Sequence, residues 1–292
     1  MRDFQCAVRF PLIGVFVLCV GTWCVNAQVT ITVFATVTDT QGAYVSDLQK
    51  DDFEIVEDGK SQSPVSVERD TRPLRVLVML DRSGSMNGAY PPLFEAVATF
   101  LTRLHPHDKV RVGGFSDRIE FGSQFTADPR ELLGDLSALD HGNDTKLWDG
   151  MLAAYDQLKR VDGRPVLIVA TDGDDTGSLP LRRFEVIKRL RTDRIITYVV
   201  GLHTQLPNGM RNSPDGNLKR LPEDSGGTYV DAKDRRDTLS AFSKIAEELN
   251  SQYAVSFLSE HHDGRVHKLR VRTKRQSLTV RANASYTAQA SR

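Results

Sequence analysis

The apolar residues of the chain follow two kinds of pattern between residues 74 and 252. Continuous apolar runs, such as residues 76–80 and 166–170, alternate with segments whose apolar positions recur every three or four residues. The continuous runs predict strands buried on both faces, and the periodic segments predict amphipathic helices. Strands that alternate with helices in this way predict an α/β fold, a doubly wound Rossmann-like sheet.

The two ends of the chain follow a different pattern, with short strands and no helices. Strand-like segments rich in β-branched residues cover residues 29–37, 53–56, 252–258, 267–273 and 277–282. A few short strands cannot bury a core alone. We therefore expect residues 28–72 to pack with residues 252–292 in a small discontinuous β-sandwich, into which the α/β domain of residues 73–251 is inserted.

The first 27 residues resemble an export signal. Arg2 and Arg9 precede a short apolar segment of residues 10–20, and residues 25–27 form a small-residue cleavage pattern before Gln28. Because this apolar segment is short for a membrane span, a cleaved signal peptide is favoured over an anchor. The expected location is the periplasm, the cell envelope or the medium, with no transmembrane segment after cleavage.

The cysteine content and the charge balance of the chain argue against a disulfide-stabilised fold and against general nucleic-acid binding. All three cysteines, Cys6, Cys19 and Cys24, lie in the predicted signal peptide, so the mature chain has no disulfide and depends on its core. The 38 basic and 38 acidic residues balance, which argues against a general binder of nucleic acid. The one basic row, on alternate positions of residues 268–274, is typical of a solvated strand face.

Short polar side chains follow two of the predicted buried strands. Asp81, Ser83 and Ser85 come directly after residues 76–80, and Asp172 follows the run at residues 166–171. A third polar loop, which contains Thr145, precedes another helical pattern. Carboxyl ends of parallel strands meet at one sheet edge, so these loops can converge there. Their oxygens suit a hard cation such as Mg²⁺, although an Asp-x-Ser-x-Ser loop alone is more typical of turns and helix caps than of a metal site.

The order and spacing of five positions resemble the metal-ion-dependent adhesion site of von Willebrand factor type A domains: Asp81, Ser83, Ser85, Thr145 and Asp172. Residues 108–117 also resemble the second strand of that family, and the likeness extends over roughly residues 74–252. It implies that the three hydroxyls bind a divalent metal and that the two carboxylates do so directly or through water. The implied cofactor is Mg²⁺, with Mn²⁺ or Ca²⁺ as alternatives.

The implied ligand set leaves the cation incompletely neutralised on its outer side. A carboxylate from a protein partner would complete the shell. The resemblance therefore implies an exported, metal-dependent protein-binding or adhesion module rather than an enzyme. One alternative is a metal-dependent, phosphatase-like hydrolase that uses Asp81 as phosphoryl acceptor, although Ser83 replaces the second aspartate of such enzymes. The other is a structural envelope protein with a vestigial site.

Two flanking elements resemble a bacterial subgroup of secreted proteins related to this family. Residues 52–59 match an Asp-Phe-x-Val-x-Glu-Asp-Gly element, and residues 263–271 match a closing Asp-Gly element.

The seven histidines show no His-x-x-x-His spacing, so no structural zinc site is expected. Asp174 and Asp175 are expected to cap a helix or to hydrogen-bond to the metal ligands.

Overall fold

A computed structural model describes residues 28–205, 211–214 and 216–290; the predicted signal peptide lies outside these residues. The strands are Val29–Thr38 (β1), Phe53–Glu57 (β2), Lys60–Gln62 (β3), Ser66–Arg69 (β4), Leu74–Asp81 (β5), Lys109–Phe115 (β6), Ile119–Phe121 (β7), Arg164–Thr171 (β8), Ile196–Leu202 (β9), Thr204–Gln205 (β10), Arg211–Asn212 (β11), Tyr229–Ala232 (β12), Tyr253–Ser259 (β13), Val266–Thr273 (β14), Thr279–Ala282 (β15) and Ser285–Thr287 (β16). The α-helices are Tyr90–Thr102 (α1), Pro129–Ala138 (α2), Leu147–Leu158 (α3), Arg182–Thr192 (α4), Gly216–Arg220 (α5) and Arg235–Leu249 (α6).

A six-stranded sheet forms the centre of the molecule, in the order β12-β9-β8-β5-β6-β7. Its strands are parallel except for β7, which forms an antiparallel hairpin with β6 at the edge. Helices cover both faces, so the predicted α/β, doubly wound fold class is confirmed. Strand β5 lies between β8 and β6 and places Asp81 opposite Phe115 at the carboxyl end of the sheet.

The continuous apolar run in β5 follows from its two buried faces. Val76, Val78 and Leu80 belong to the core cluster shared with α1 and α6. Leu77 and Met79 belong to the second cluster, which contains α3. Because successive side chains of a strand point to opposite faces, both sets of alternate positions must be apolar here.

The chain ends form two further four-stranded sheets, in the orders β15-β1-β13-β4 and β16-β14-β2-β3. Strand β1 pairs antiparallel with β13, and β2 pairs antiparallel with β14, so strands from both chain ends contribute to each sheet. The two sheets share one apolar core that includes Val33, Phe53, Val255 and Phe257. In β14, His267, Leu269 and Val271 are buried while the basic residues between them are exposed, as the alternation predicted.

Among the described residues, a fully buried ion pair and a partly exposed one join this β-sandwich to the α/β domain. The Asp70 carboxylate after β4 accepts a hydrogen bond of 2.6 Å from the Arg164 guanidinium at the start of β8. On another part of the interface, Arg281 of β15 pairs with Glu248 of α6. Glu248 also accepts a hydrogen bond of 2.7 Å from the Tyr198 hydroxyl. Among the described residues, no helix combines the length and the apolar character needed to cross a membrane.

Candidate metal centre

Asp81 is the residue of the candidate site that lies on the central strand of the sheet. It ends the central strand β5, and its side chain is fully buried. The Ser83 backbone N–H donates to its Oδ1 at 3.0 Å, and the Thr171 hydroxyl donates to its Oδ2 at 2.6 Å. These bonds fix the carboxylate at the sheet edge between β5 and β8.

The two serines lie on the tight loop that follows. Ser83 is buried and Ser85 is partly exposed, and their Oγ atoms are 3.2 Å apart. A short 3₁₀ turn over Gly84–Met86 brings the two hydroxyls together. The Tyr90 hydroxyl of α1 donates to the Ser83 carbonyl at 3.1 Å, which ties the loop to the helix after it.

Thr145 lies on the loop before α3 and is buried. Its N–H donates to the Thr176 hydroxyl at 2.9 Å, and its carbonyl accepts from the N–H groups of Thr176 and Gly177. The Gly142 N–H donates to the Arg82 carbonyl at 3.1 Å. The Thr145 loop is therefore hydrogen-bonded on one side to the Asp81 loop and on the other to the segment after Asp172.

Asp172 follows β8 and is as fully buried as Asp81. Its Oδ2 accepts a hydrogen bond of 2.8 Å from the Thr204 hydroxyl. Its Oδ1 is buried without a hydrogen-bond partner among the described residues. A buried carboxylate oxygen without a donor is costly, so this atom is free to bind a cation.

The next two aspartates have different partners. The Asp175 Oδ1 accepts from the Leu147 N–H at 2.9 Å, at the first turn of α3, and from the Ser178 hydroxyl at 2.6 Å. This agrees with the predicted capping role. Asp174 is exposed and accepts a hydrogen bond of 3.3 Å from the Asn212 side chain.

Burial dominates the electrostatics of the site. It raises the pKa of Asp81 to about 7, against the lowering effect of hydrogen bonds from Ser83 and Thr171, and the negative charge of Asp172 raises it further. Two buried acidic groups next to each other disfavour the ionised state unless a positive charge is added. The free Oδ1 of Asp172 and the hydroxyl donors fit a hard divalent cation. That these five residues are metal ligands remains a prediction.

Arg82, Tyr90 and His141 form a basic and aromatic cluster beside the site, which the sequence patterns did not reveal. The Arg82 guanidinium is buried, lies 4.4 Å from the centre of the Tyr90 ring and donates to the Leu139 carbonyl at 2.7 Å. Its Nη2 is 2.7 Å from the His141 Nε2. Burial lowers the pKa of His141, and the Arg82 charge lowers it further. Arg82 is the x of the Asp-x-Ser motif, a position that accepts any residue, so the motif did not predict a role for Arg82.

Three large apolar side chains are exposed on the segment after Asp172: Leu179 at 58%, Leu181 at 69% and Phe184 at 67%. This segment packs along the first turn of α3, where the Leu179 N–H donates to an Asp149 carboxylate oxygen at 3.0 Å. An apolar surface therefore lies at the start of the helix that follows Thr145.

Residues 76–174 match the family model for the von Willebrand factor type A domain, a match that contains all five candidate ligands. No curated protein sequence matches the chain.

Solved structures share the fold at low sequence identity. A structure titled von Willebrand factor type A from Catenulispora acidiphila is 12% identical with a TM-score of 0.52, covering 84% of this chain and 75% of that one. The PilB minor pilin from Streptococcus sanguinis is 13% identical with a TM-score of 0.49, covering 63% of each chain. The SpaC pilus adhesin from Lactobacillus rhamnosus GG, in its open conformation, is 14% identical with a TM-score of 0.48, covering 73% of this chain and 36% of that one. Residues 76–174 thus match the model of the von Willebrand factor type A domain, and the first of these structures shares the fold of the chain.

Proposed function

We propose that the chain is an exported, divalent-metal-dependent module that binds a carboxylate of a protein partner. The unpartnered, fully buried Oδ1 of Asp172 is the observation that carries the proposal. It lies near a second buried carboxylate, Asp81, at a sheet edge where Ser83, Ser85 and Thr145 add hydroxyl oxygens. Mg²⁺ is the proposed cation, with Mn²⁺ and Ca²⁺ accepted by the same oxygen donors.

Each residue has a distinct part in this proposal. Asp81 and Asp172 supply the negative charge that attracts the cation, and the three hydroxyls supply neutral oxygens. When bound, the cation offers positive charge to an acidic side chain of the partner. The hydrogen bonds from Thr171 to Asp81 and from Thr204 to Asp172 hold the two carboxylates in place.

The exposed Leu179, Leu181 and Phe184 support a protein partner rather than a small anion. Aromatic and aliphatic side chains near a polar centre are typical of protein interfaces, where apolar contacts add to a charged anchor. Export of the chain from the cytoplasm is part of the proposal and rests on the pattern of residues 1–27.

A metal titration tests the proposed site directly. We expect Mg²⁺ and Mn²⁺ to bind the chain from Gln28 onward at one saturable site in calorimetry. Binding should be lost in Asp81→Ala and Thr145→Ala and retained in Asp174→Ala, because Asp174 is an exposed neighbour of the site. Folded wild-type protein that binds neither metal, or variants that bind as the wild type does, would contradict the proposal. A phosphatase-like enzyme would in addition hydrolyse a phosphate monoester in a Mg²⁺-dependent reaction, and we expect no such activity.

Leu181 provides a second test because its backbone is strained. It has a φ of 69°, in the left-handed region that favours glycine, and its side chain is largely exposed. We expect Leu181→Gly to raise the free energy of unfolding by about 1 kcal/mol, since a left-handed non-glycine residue costs roughly 1–2 kcal/mol. If the leucine side chain lowers stability at this position, its proposed role is contact with a partner and not stabilisation of the fold.

Chemical denaturation of Leu181→Gly beside Leu179→Gly measures this effect. Leu179 is similarly exposed but does not have a positive φ, so its replacement should not stabilise the protein. Equal or lower stability of the Leu181 variant would contradict the argument from backbone strain.

A further inference from the structure

A group of side chains of the types that bind metals lies on the β-sandwich, where the sequence predicted no metal site. The Asp58 Oδ2 is 2.7 Å from the His267 Nδ1 and 3.7 Å from the His261 Nε2. The two imidazole rings stack with centroids 3.8 Å apart and an angle of 18° between their planes. One ligand atom from each of the three residues lies within 4.8 Å of the other two.

The backbone holds these side chains in place. Asp58 lies in the turn between β2 and β3 with a φ of 46°, and its Oδ1 accepts the Lys268 N–H at 2.9 Å. Its Oδ2 is thereby directed at the histidines. His267 belongs to β14 and its side chain is only 7% exposed. Its second nitrogen, Nε2, is 3.0 Å from an oxygen of Asp263, which is itself held by the Arg265 N–H.

We propose that Asp58, His261 and His267 bind a divalent transition-metal ion of the zinc class, at a site separate from that of Asp81. Two imidazoles and one carboxylate suit Zn²⁺, Ni²⁺ or Cu²⁺ and not Mg²⁺, which prefers oxygen donors alone. The side chains of Asp58 and His261 are 40% and 39% exposed. A metal can therefore enter from solvent and keep a water molecule as its fourth ligand.

Asp263 supports metal binding by this group because it contacts the second ring nitrogen of His267. Histidines that bind a metal through one nitrogen usually donate the other N–H to a carboxylate, which fixes the tautomer and the ring orientation. Asp263 occupies this position toward the His267 Nε2. Tetrahedral Zn²⁺ needs ligand atoms about 3.4 Å apart. On binding, the 2.7 Å separation of the Asp58 and His267 ligand atoms must widen and the 3.7 Å separation of the Asp58 and His261 ligand atoms must shorten slightly. The partly exposed side chains of Asp58 and His261 can supply these movements.

The position of the site indicates what the metal does. Asp58 follows β2 near the start of the chain, whereas His261 and His267 flank the turn between β13 and β14 near its end. A bound ion would link segments about 200 residues apart in sequence, in a mature chain predicted to have no cysteines. Closing a long loop in this way stabilises the folded state by restricting the unfolded one. We therefore assign the metal a structural role in the sandwich.

A Zn²⁺ titration of the chain from Gln28 onward, in saturating Mg²⁺, tests the proposal. We expect one saturable Zn²⁺ site, weakened at least tenfold in His261→Ala and roughly 10–100-fold in Asp263→Asn. His105→Ala is the matched control, because His105 is also exposed and lies 3.6 Å from a carboxylate of Asp108. It should bind Zn²⁺ as the wild type does, and so should Asp81→Ala, which separates this site from the oxygen site. Undiminished Zn²⁺ binding in His261→Ala would overturn the proposal.

Nuclear magnetic resonance of the wild type gives a result that does not depend on any variant folding. On addition of Zn²⁺, the imidazole signals of His261 and His267 should shift together and saturate with the calorimetric stoichiometry. The chain has seven histidines, and the signals of the other five should remain in place. Shifts at other histidines alone, or no shifts at all, would show that the cluster is only a hydrogen-bonded ion pair.

Discussion

Arg164→Met is expected to lower the free energy of unfolding by about 3–5 kcal/mol, the typical cost of removing one partner from a buried ion pair. The Arg164 and Asp70 side chains are 1% and 2% exposed. The guanidinium also donates to the Leu249 carbonyl at 3.0 Å, so its loss leaves a second buried acceptor at the end of α6 without that donor. Methionine has a similar length, which limits the cavity that the substitution leaves.

Urea denaturation of the wild type and the variant measures this loss. Arg130→Met is the control, because Arg130 also pairs with an aspartate, Asp128, but its side chain is 91% exposed. That substitution should change the free energy of unfolding by less than about 0.5 kcal/mol. If Arg164→Met were as mild as Arg130→Met, the buried pair would not hold the two parts of the molecule together.

The effect of Arg164→Met should depend on pH in a defined direction. Burial alone would raise the pKa of Asp70, but a hydrogen bond from Arg72 and the charge and hydrogen bond of Arg164 outweigh it, and the pKa is lowered. A lowered carboxyl pKa adds stability above the usual value of 3.8, which is lost as the pH falls through the folded-state pKa. The difference between wild type and variant should therefore be full at pH 7 and shrink below pH 3.8.

The central sheet could be predicted because local signals agreed with its tertiary environment. The continuous apolar runs of β5 and β8 need a partner layer on each face, and they have one. The hairpin of β6 and β7 and the short strands of the chain ends likewise follow from local pattern and turn residues. Helix α6 begins at Arg235, before its first apolar residue, because the Asp234 side chain caps it by accepting the Asp237 N–H.

The contacts that join the chain ends to the central domain could not be predicted. Asp70 and Arg164 are 94 residues apart, and the contact of Glu248 with Arg281 depends on the pairing of β1 with both β13 and β15. The stacking of His261 on His267 likewise depends on how the turn between β13 and β14 folds, and on Asp58 from the other end of the chain. Sequence spacing carries no information on such pairings, since strand register and layer packing determine them.

In the candidate site, too, the residues of the local motif could be predicted from the sequence, whereas those brought in by tertiary packing could not. The motif Asp81-x-Ser83-x-Ser85 is local, and its side chains lie together on one loop. The residues that orient the carboxylates, Thr171 and Thr204, come from other strands and carry no motif. Their positions follow from the parallel pairing of β5 with β8 and of β8 with β9.

Asp81→Asn is expected to have opposite effects on stability with and without a divalent metal. At pH 8, above the pKa of about 7 that burial gives Asp81, its carboxylate is ionised in a fully buried position, and the negative charge of the buried Asp172 adds repulsion. A carboxyl pKa raised from 3.8 to about 7 lowers the stability of the folded state at this pH, by about 1.4 kcal/mol per pH unit of the difference. Replacing the carboxylate with a neutral amide should therefore stabilise the protein by roughly 1–4 kcal/mol. The amide fits, because the Thr171 hydroxyl can accept a hydrogen bond as well as donate one.

With Mg²⁺ at a hundredfold excess over its dissociation constant, the wild type should gain about 2.7 kcal/mol of stability through linkage. Asp81→Asn should gain little, because it lacks one of the two charges that attract the cation. Thermal denaturation of both proteins, with and without Mg²⁺, measures the four values. Asp174→Asn removes the same charge from an exposed neighbour and should respond to Mg²⁺ as the wild type does. An equal Mg²⁺ response in Asp81→Asn and the wild type would show that the cation binds elsewhere, because only a metal held by Asp81 can oppose the repulsion that this carboxylate creates.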